Sequence, residues 1–105
     1  MATFRTGIGC INMIALVAKL NVAEGKEAEF EEVMLGLAEQ VRANEDANHL
    51  YTLVKNDDGY SVLELYDDDA ALQTHMQSQH FRDAGAKFAG LMAGPPTMTR
   101  YEVVG

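Results

Sequence analysis

The chain has 105 residues, of which 48% are apolar and 23% charged, with 8 Lys and Arg against 16 Asp and Glu for a formal net charge of −8. That length holds one hydrophobic core, and the apolar content excludes a disordered chain. No apolar run reaches the roughly 18 residues of a membrane span. The acidic balance removes the basic footprint that nucleic acid or an anionic lipid surface requires, and a single cysteine, Cys10, excludes an intrachain disulfide.

Residues 1–12 carry two glycines and little charge and read as an arm ahead of a domain spanning 13–105. Only Arg5 is basic before the apolar run 13–18, and Lys19 and Asn21 follow it, which is not the pattern of a signal peptide, so a cytoplasmic location is expected. In 13–22, Ile14, Leu16, Ala18 and Leu20 alternate with Ala15, Val17, Lys19 and Asn21, the period of a strand. Residues 26–43 follow as a helix, because Phe30, Val33, Met34, Leu37, Ala38 and Val41 recur at helical spacing. Glu27, Glu29, Glu31 and Glu32 crowd its first turns, where the helix dipole favours negative charge, and they read as a solvated face.

Two β-prone runs, 47–55 and 60–66, flank Asn56-Asp57-Asp58-Gly59 and predict a hairpin. An Asp of the 67–69 run caps a helix over about 70–77, and Ser78 caps a second helical stretch with Phe81, Ala84, Phe88, Leu91 and Met92 on its apolar stripe. Gly94 is the expected stop, with Pro95-Pro96 preventing continuation, and 97–104 closes the chain as a strand. The order βαββαβ predicts an α+β, ferredoxin-like fold with both helical layers on one face of an antiparallel sheet. Neither sheet face is cleanly polar: Ser61, Leu63 and Leu65 oppose Tyr60, Val62, Glu64 and Tyr66. A homodimer joined sheet to sheet is the expected remedy.

The stretch YSVLELYDDDAALQTHMQSQHF at 60–81 resembles the antibiotic biosynthesis monooxygenase (ABM) family. The matching features are Glu64 and Tyr66 on the third strand, the acidic turn before a helix carrying His75, the pair His80-Phe81, and the helix–Pro–strand ending at 91–101; His49, Leu50 and Tyr51 match more loosely. The resemblance implies a dimeric α+β barrel with a small pocket between helices and sheet. It implies several activities: oxygenation of quinols or phenols without metal or flavin, haem degradation, or isomerisation of a phosphorylated sugar. The haem-degrading relatives are marked by an Asn, a Trp and a His ligand. Here Ala18 or Lys19 stands near the first position, His75 at the second and Gly85 at the third, and the chain has no Trp.

No metal site is expected, since His75 and His80 are off the i, i+4 spacing and no HExxH or paired CxxC exists. Gly7-Ile8-Gly9 is not followed by a helix start and gives no dinucleotide fingerprint. The expected function is cofactor-free oxygenation of a small aromatic quinol or phenol by O2. It requires an apolar pocket, a base near neutrality and a group that stabilises the substrate anion. His75 is the first choice of base, with Tyr66 and His49 as further catalytic candidates. Tyr51, Arg100, Glu64, His80 and Phe81 are the candidate substrate-binding residues; Arg100 is expected to pair with Glu64 or face the anion, and His49 and Tyr51 to share one wall. An isomerase or binding protein of the same fold is the alternative.

Overall fold

The structure is a computed structural model that describes residues 12–105; the arm, Cys10 included, otherwise lies outside the described residues. The elements are β1 (Ile14–Leu20), α1 (Glu27–Asn44), β2 (Asn48–Asn56), β3 (Gly59–Tyr66), α2 (Asp69–Gln77), α3 (Gln79–Phe88) and β4 (Thr97–Glu102). The strands form one antiparallel sheet in the order β2-β3-β1-β4, the predicted α+β arrangement.

Alternation sets the faces of the central strands. Ile14, Leu16 and Ala18 of β1 and Tyr60, Val62, Glu64 and Tyr66 of β3 point to the helices and are buried. Against them α1 lays the stripe read from its sequence, burying Phe30, Met34, Leu37, Ala38 and Val41. Each of these side chains larger than Ala38 contributes about 1.5–3 kcal/mol on leaving water. Lys26 offers α1 no side-chain cap, while Glu27 and Glu29 compensate its first turn electrostatically. At one end of the sheet the Tyr60 hydroxyl donates to Glu31 of α1, which pushes the phenol up to about 12 and holds the Glu31 carboxyl below its ordinary value.

The corner between α2 and α3 is built by caps. Asp68 accepts from the Ala71 N–H at 2.9 Å to start α2. Ser78 ends α2 and starts α3: its hydroxyl donates to the His75 carbonyl at 2.6 Å and accepts from the Phe81 N–H at 3.2 Å. The expected stop at Gly94 is corrected. α3 ends at Phe88, and Gly90 takes the left-handed conformation (φ 84°) that lets the Leu91 N–H return to the Phe88 carbonyl at 2.9 Å. Leu91 and Met92 therefore lie outside the helix, where Met92 bridges to Val22.

On the other face, Ala15, Val17, Leu63 and Leu65 are half-exposed and Leu50, Val54 and Tyr101 exposed, with no helix of the described residues over them. Every residue of the edge strand β4 is exposed.

Candidate active site

Between the helices and the inner face of the sheet lies a hollow of about 250 Å³. Ala18, Val62 and Glu64 floor it, Phe30 and Met34 come from α1, Phe81 and Gly85 from α3, and Tyr51 from β2. Met92, Pro96 and Met98 border it on the side of the exposed strand β4. α3 brings Gly85 to its border, with nothing within 4 Å of where a Cβ would stand. A cavity of about 150 Å³ takes a benzene ring, so this one has room for a substituted ring or two small fused rings. A larger groove of about 720 Å³ runs outside, between α1 and α3, but Glu32, Glu39, Asp83 and Lys87 make it a charged surface trough.

Among the described residues, Glu64 and Tyr51 are the ionisable side chains lining the hollow. Glu64 is 6% exposed. Its Oε1 accepts a hydrogen bond from the Tyr66 hydroxyl at 2.6 Å, and no hydrogen bond among the described residues reaches Oε2. Burial raises its carboxyl to about 7; the Tyr66 hydrogen bond opposes the rise and the Glu45 charge adds to it. Burial, with the Glu64 and Glu45 charges behind it, also pushes the Tyr51 phenol up, so Tyr51 stays protonated at neutral pH. Tyr66 is raised by the same causes, burial first, and is wholly buried as the holder of Glu64.

His75 stands one ring behind this wall. It is 2% exposed and packs its imidazole on Tyr51 (centroids 5.1 Å apart), Phe81 (4.8 Å) and Tyr66 (5.6 Å). Its Nδ1 meets Glu45 Oε2 at 2.9 Å, and His80 Nε2 meets the same oxygen at 2.5 Å. Burial holds His75 below the usual imidazole value although Glu45 pulls the other way. Glu45, His75 and His80 are the one group of potential metal ligands found among the described residues, with ligand atoms within 4.8 Å of one another. In the tautomers that carry a proton on His75 Nδ1 and His80 Nε2, both imidazoles donate to this one carboxylate oxygen. Glu45 was not singled out in the sequence. It is the C-cap residue of α1, and its side chain meets the histidines from sequence separations of 30 and 35, so no local pattern announces it.

The other expected residues fall elsewhere. β2 shifts register between Asn48 and Leu50, so the alternation that would align His49 with Tyr51 fails. His49 is exposed and bonds Asp67 at 2.5 Å while Tyr51 is buried, so the shared wall is corrected. Arg100 pairs with Asp69 at 2.8 Å on the surface rather than with Glu64. His80 borders the charged trough, and Phe81 lines the hollow.

The family model described as antibiotic biosynthesis monooxygenase matches residues 13–87. The chain belongs to that family. It is 32% identical over 94 residues to YcnE of Bacillus subtilis, which bears a provisional monooxygenase name, covering 87% of this chain and 98% of that one. Among solved structures it is similar to a provisionally named antibiotic biosynthesis monooxygenase of Caulobacter crescentus, with 39% identity, TM-score 0.86 and coverage of 91% of this chain and 93% of that chain. A conserved protein of Methanosarcina mazei, 22% identical with TM-score 0.81 over 90% of this chain and 95% of that one, shares the fold. The resemblance read from residues 60–81 is thereby confirmed at the level of family and fold. An ABM domain carries a monooxygenase-like function, and no helix among the described residues is long and apolar enough to cross a membrane.

Proposed function

We propose that the protein is a cofactor-independent monooxygenase that takes a one- or two-ring phenol or quinol into the hollow and oxidises it with O2. The observation that carries the reading is the hollow itself: ring-sized, apolar, and floored by one carboxyl group poised at neutrality. Phe30, Phe81, Met34 and Val62 strip water from a flat substrate, and the protonated Tyr51 supplies a hydroxyl dipole on the wall. Loss of the substrate's hydroxyl proton gives an electron-rich anion that can pass one electron to O2. The superoxide and the aryloxyl radical then join, forming a C–O bond at a ring carbon. That carbon's C–H pair becomes the new C=O as the O–O bond breaks. The two hydrogens leave in water, so phenol plus O2 gives quinone plus H2O.

The bare sheet face supports the second part of the reading. Ala15, Val17, Leu63, Leu65, Leu50 and Tyr101 form an apolar surface that a second copy covers by two-fold symmetry, closing the exposed side of β4 as well. The protein works as a homodimer in the cytoplasm, with no nucleic acid or membrane as partner.

Oxygen-electrode traces with chelator-treated protein and a panel of hydroquinones and naphthols test the activity. Uptake above the autoxidation background, with quinone formed in step, is expected. Background uptake across the whole panel would defeat the reading. An isomerase of the same fold would instead exchange substrate protons with solvent under nitrogen.

A further inference from the structure

We propose that Glu64, and not an imidazole, is the catalytic base that takes the substrate's hydroxyl proton, with Tyr66 as the positioning residue that aims it. The inference rests on the oxygenase reading above and names the atom through which that reaction begins. Three observations carry it. First, the histidines are displaced from the chemistry: His75 is screened by Tyr51 and Phe81, His80 borders the outer trough, and His49 is on the surface with Asp67. Second, of the two ionisable groups on the hollow, Tyr51 is protonated throughout the working range and cannot accept a proton. Third, among the described residues Glu64 is held from one side only. Tyr66 Oη occupies Oε1 and leaves Oε2 for a substrate hydroxyl.

The surroundings suit the role. Burial and the Glu45 charge bring the carboxyl to about 7, where a general base at neutral pH is about half ionised and basic enough to act. The groups facing it are few: Tyr66 on its own strand, Tyr51 beside it on β2, and Glu45 and His75 behind them. On the β1 side its neighbour is Leu16, and Arg100 beyond turns to Asp69, so no cation among the described residues neutralises it. In the step, the substrate O–H bond breaks, its electron pair stays on the substrate oxygen, and the proton goes to Oε2. After the C–O bond to O2 has formed, the same proton passes to the outer peroxide oxygen as the O–O bond breaks. Glu64 is restored, and water carries the proton away.

The test is Glu64→Gln in the full chain, with Tyr66→Phe as a second variant and the most active phenol of the panel as substrate. Removal of a general base is expected to lower kcat at least 100-fold while KM stays within about threefold. The wild-type kcat/KM profile should rise through an acid limb near pH 7. Tyr66→Phe should move that limb to higher pH, because the hydrogen bond it removes favours the ionised carboxylate. Infrared titration of the Glu64 carboxyl, by difference against Glu64→Gln, should show ionisation near pH 7 without substrate. If Glu64→Gln keeps kcat within tenfold of wild type, the base is another group and the oxygenase reading survives. If the carboxyl titrates in the ordinary carboxylate range, this inference fails alone. If wild type consumes no oxygen with any substrate, the oxygenase reading fails and takes the inference with it.

Discussion

Glu64→Gln has a second consequence that needs no substrate. The folded chain holds the Glu64 proton more tightly than the unfolded chain, with the carboxyl raised from 4.5 to about 7. Glu64 therefore destabilises the fold only when ionised. Its cost is absent below about pH 4.5, grows as the pH climbs to about 7, and is constant above. At about 1.4 kcal/mol per pH unit, the rise corresponds to about 3 kcal/mol at pH 8.5 as an upper figure. Glutamine keeps an oxygen for the Tyr66 hydroxyl and carries no charge to desolvate. The variant should match wild type near pH 4.5 and exceed it by up to about 3 kcal/mol at pH 8.5. With a urea slope near 1.5 kcal/mol per molar, that is a midpoint displaced by roughly 2 M. Urea denaturation of both proteins at several pH values, followed by far-UV circular dichroism, reads the difference. A stability difference that does not change between pH 4.5 and 8.5 would show that Glu64 ionises normally and would refute the reasoning.

Other outcomes follow from the same geometry. Gly85→Ala should raise stability by about 0.5–1 kcal/mol, since α3 gains a better helix former with open space around its Cβ. Gly85→Leu should narrow the hollow, so that KM for a two-ring phenol rises more than tenfold while a single-ring phenol changes less; equal effects would show that residue 85 does not gate size. Ser78→Ala removes the bonds to Phe81 and His75 and should cost about 1 kcal/mol in urea unfolding. Leu63→Arg places a charge on the bare sheet face; sedimentation should show wild type as two chains of 11.5 kDa and the variant as one, and a wild-type monomer at micromolar concentration would exclude the dimer.

Strands, helices and their order were legible because each carries its own period: Ile14, Leu16 and Ala18 at two, Phe30, Met34, Leu37 and Val41 near 3.6. The break at Ser78 was legible too, because a cap is a local event. The end of α3 was not. Gly90 and Gly94 both offer a left-handed residue, and only the packing of Leu91 and Met92 decides between them. At the site, Tyr51, Glu64 and Phe81 were legible as residues of one region, but the rise of the Glu64 carboxyl to about 7 was not. An imidazole is the natural base on paper because its unperturbed value is near neutrality. In the fold, burial drives the two residue types in opposite directions: it lowers His75 and raises Glu64 to about 7. The register shift that turns His49 outward and the Glu45 contact with two histidines both depend on distant parts of the chain.

The most direct measurement is mass spectrometry of the quinone formed from a naphthol under heavy-isotope dioxygen, with and without the metal-free protein. One heavy oxygen atom per quinone, in an amount above the protein-free control and proportional to protein concentration, is the predicted result. Product no greater than the control, or protein-dependent product without the label, would contradict the claim that this hollow activates a ring for direct reaction with O2.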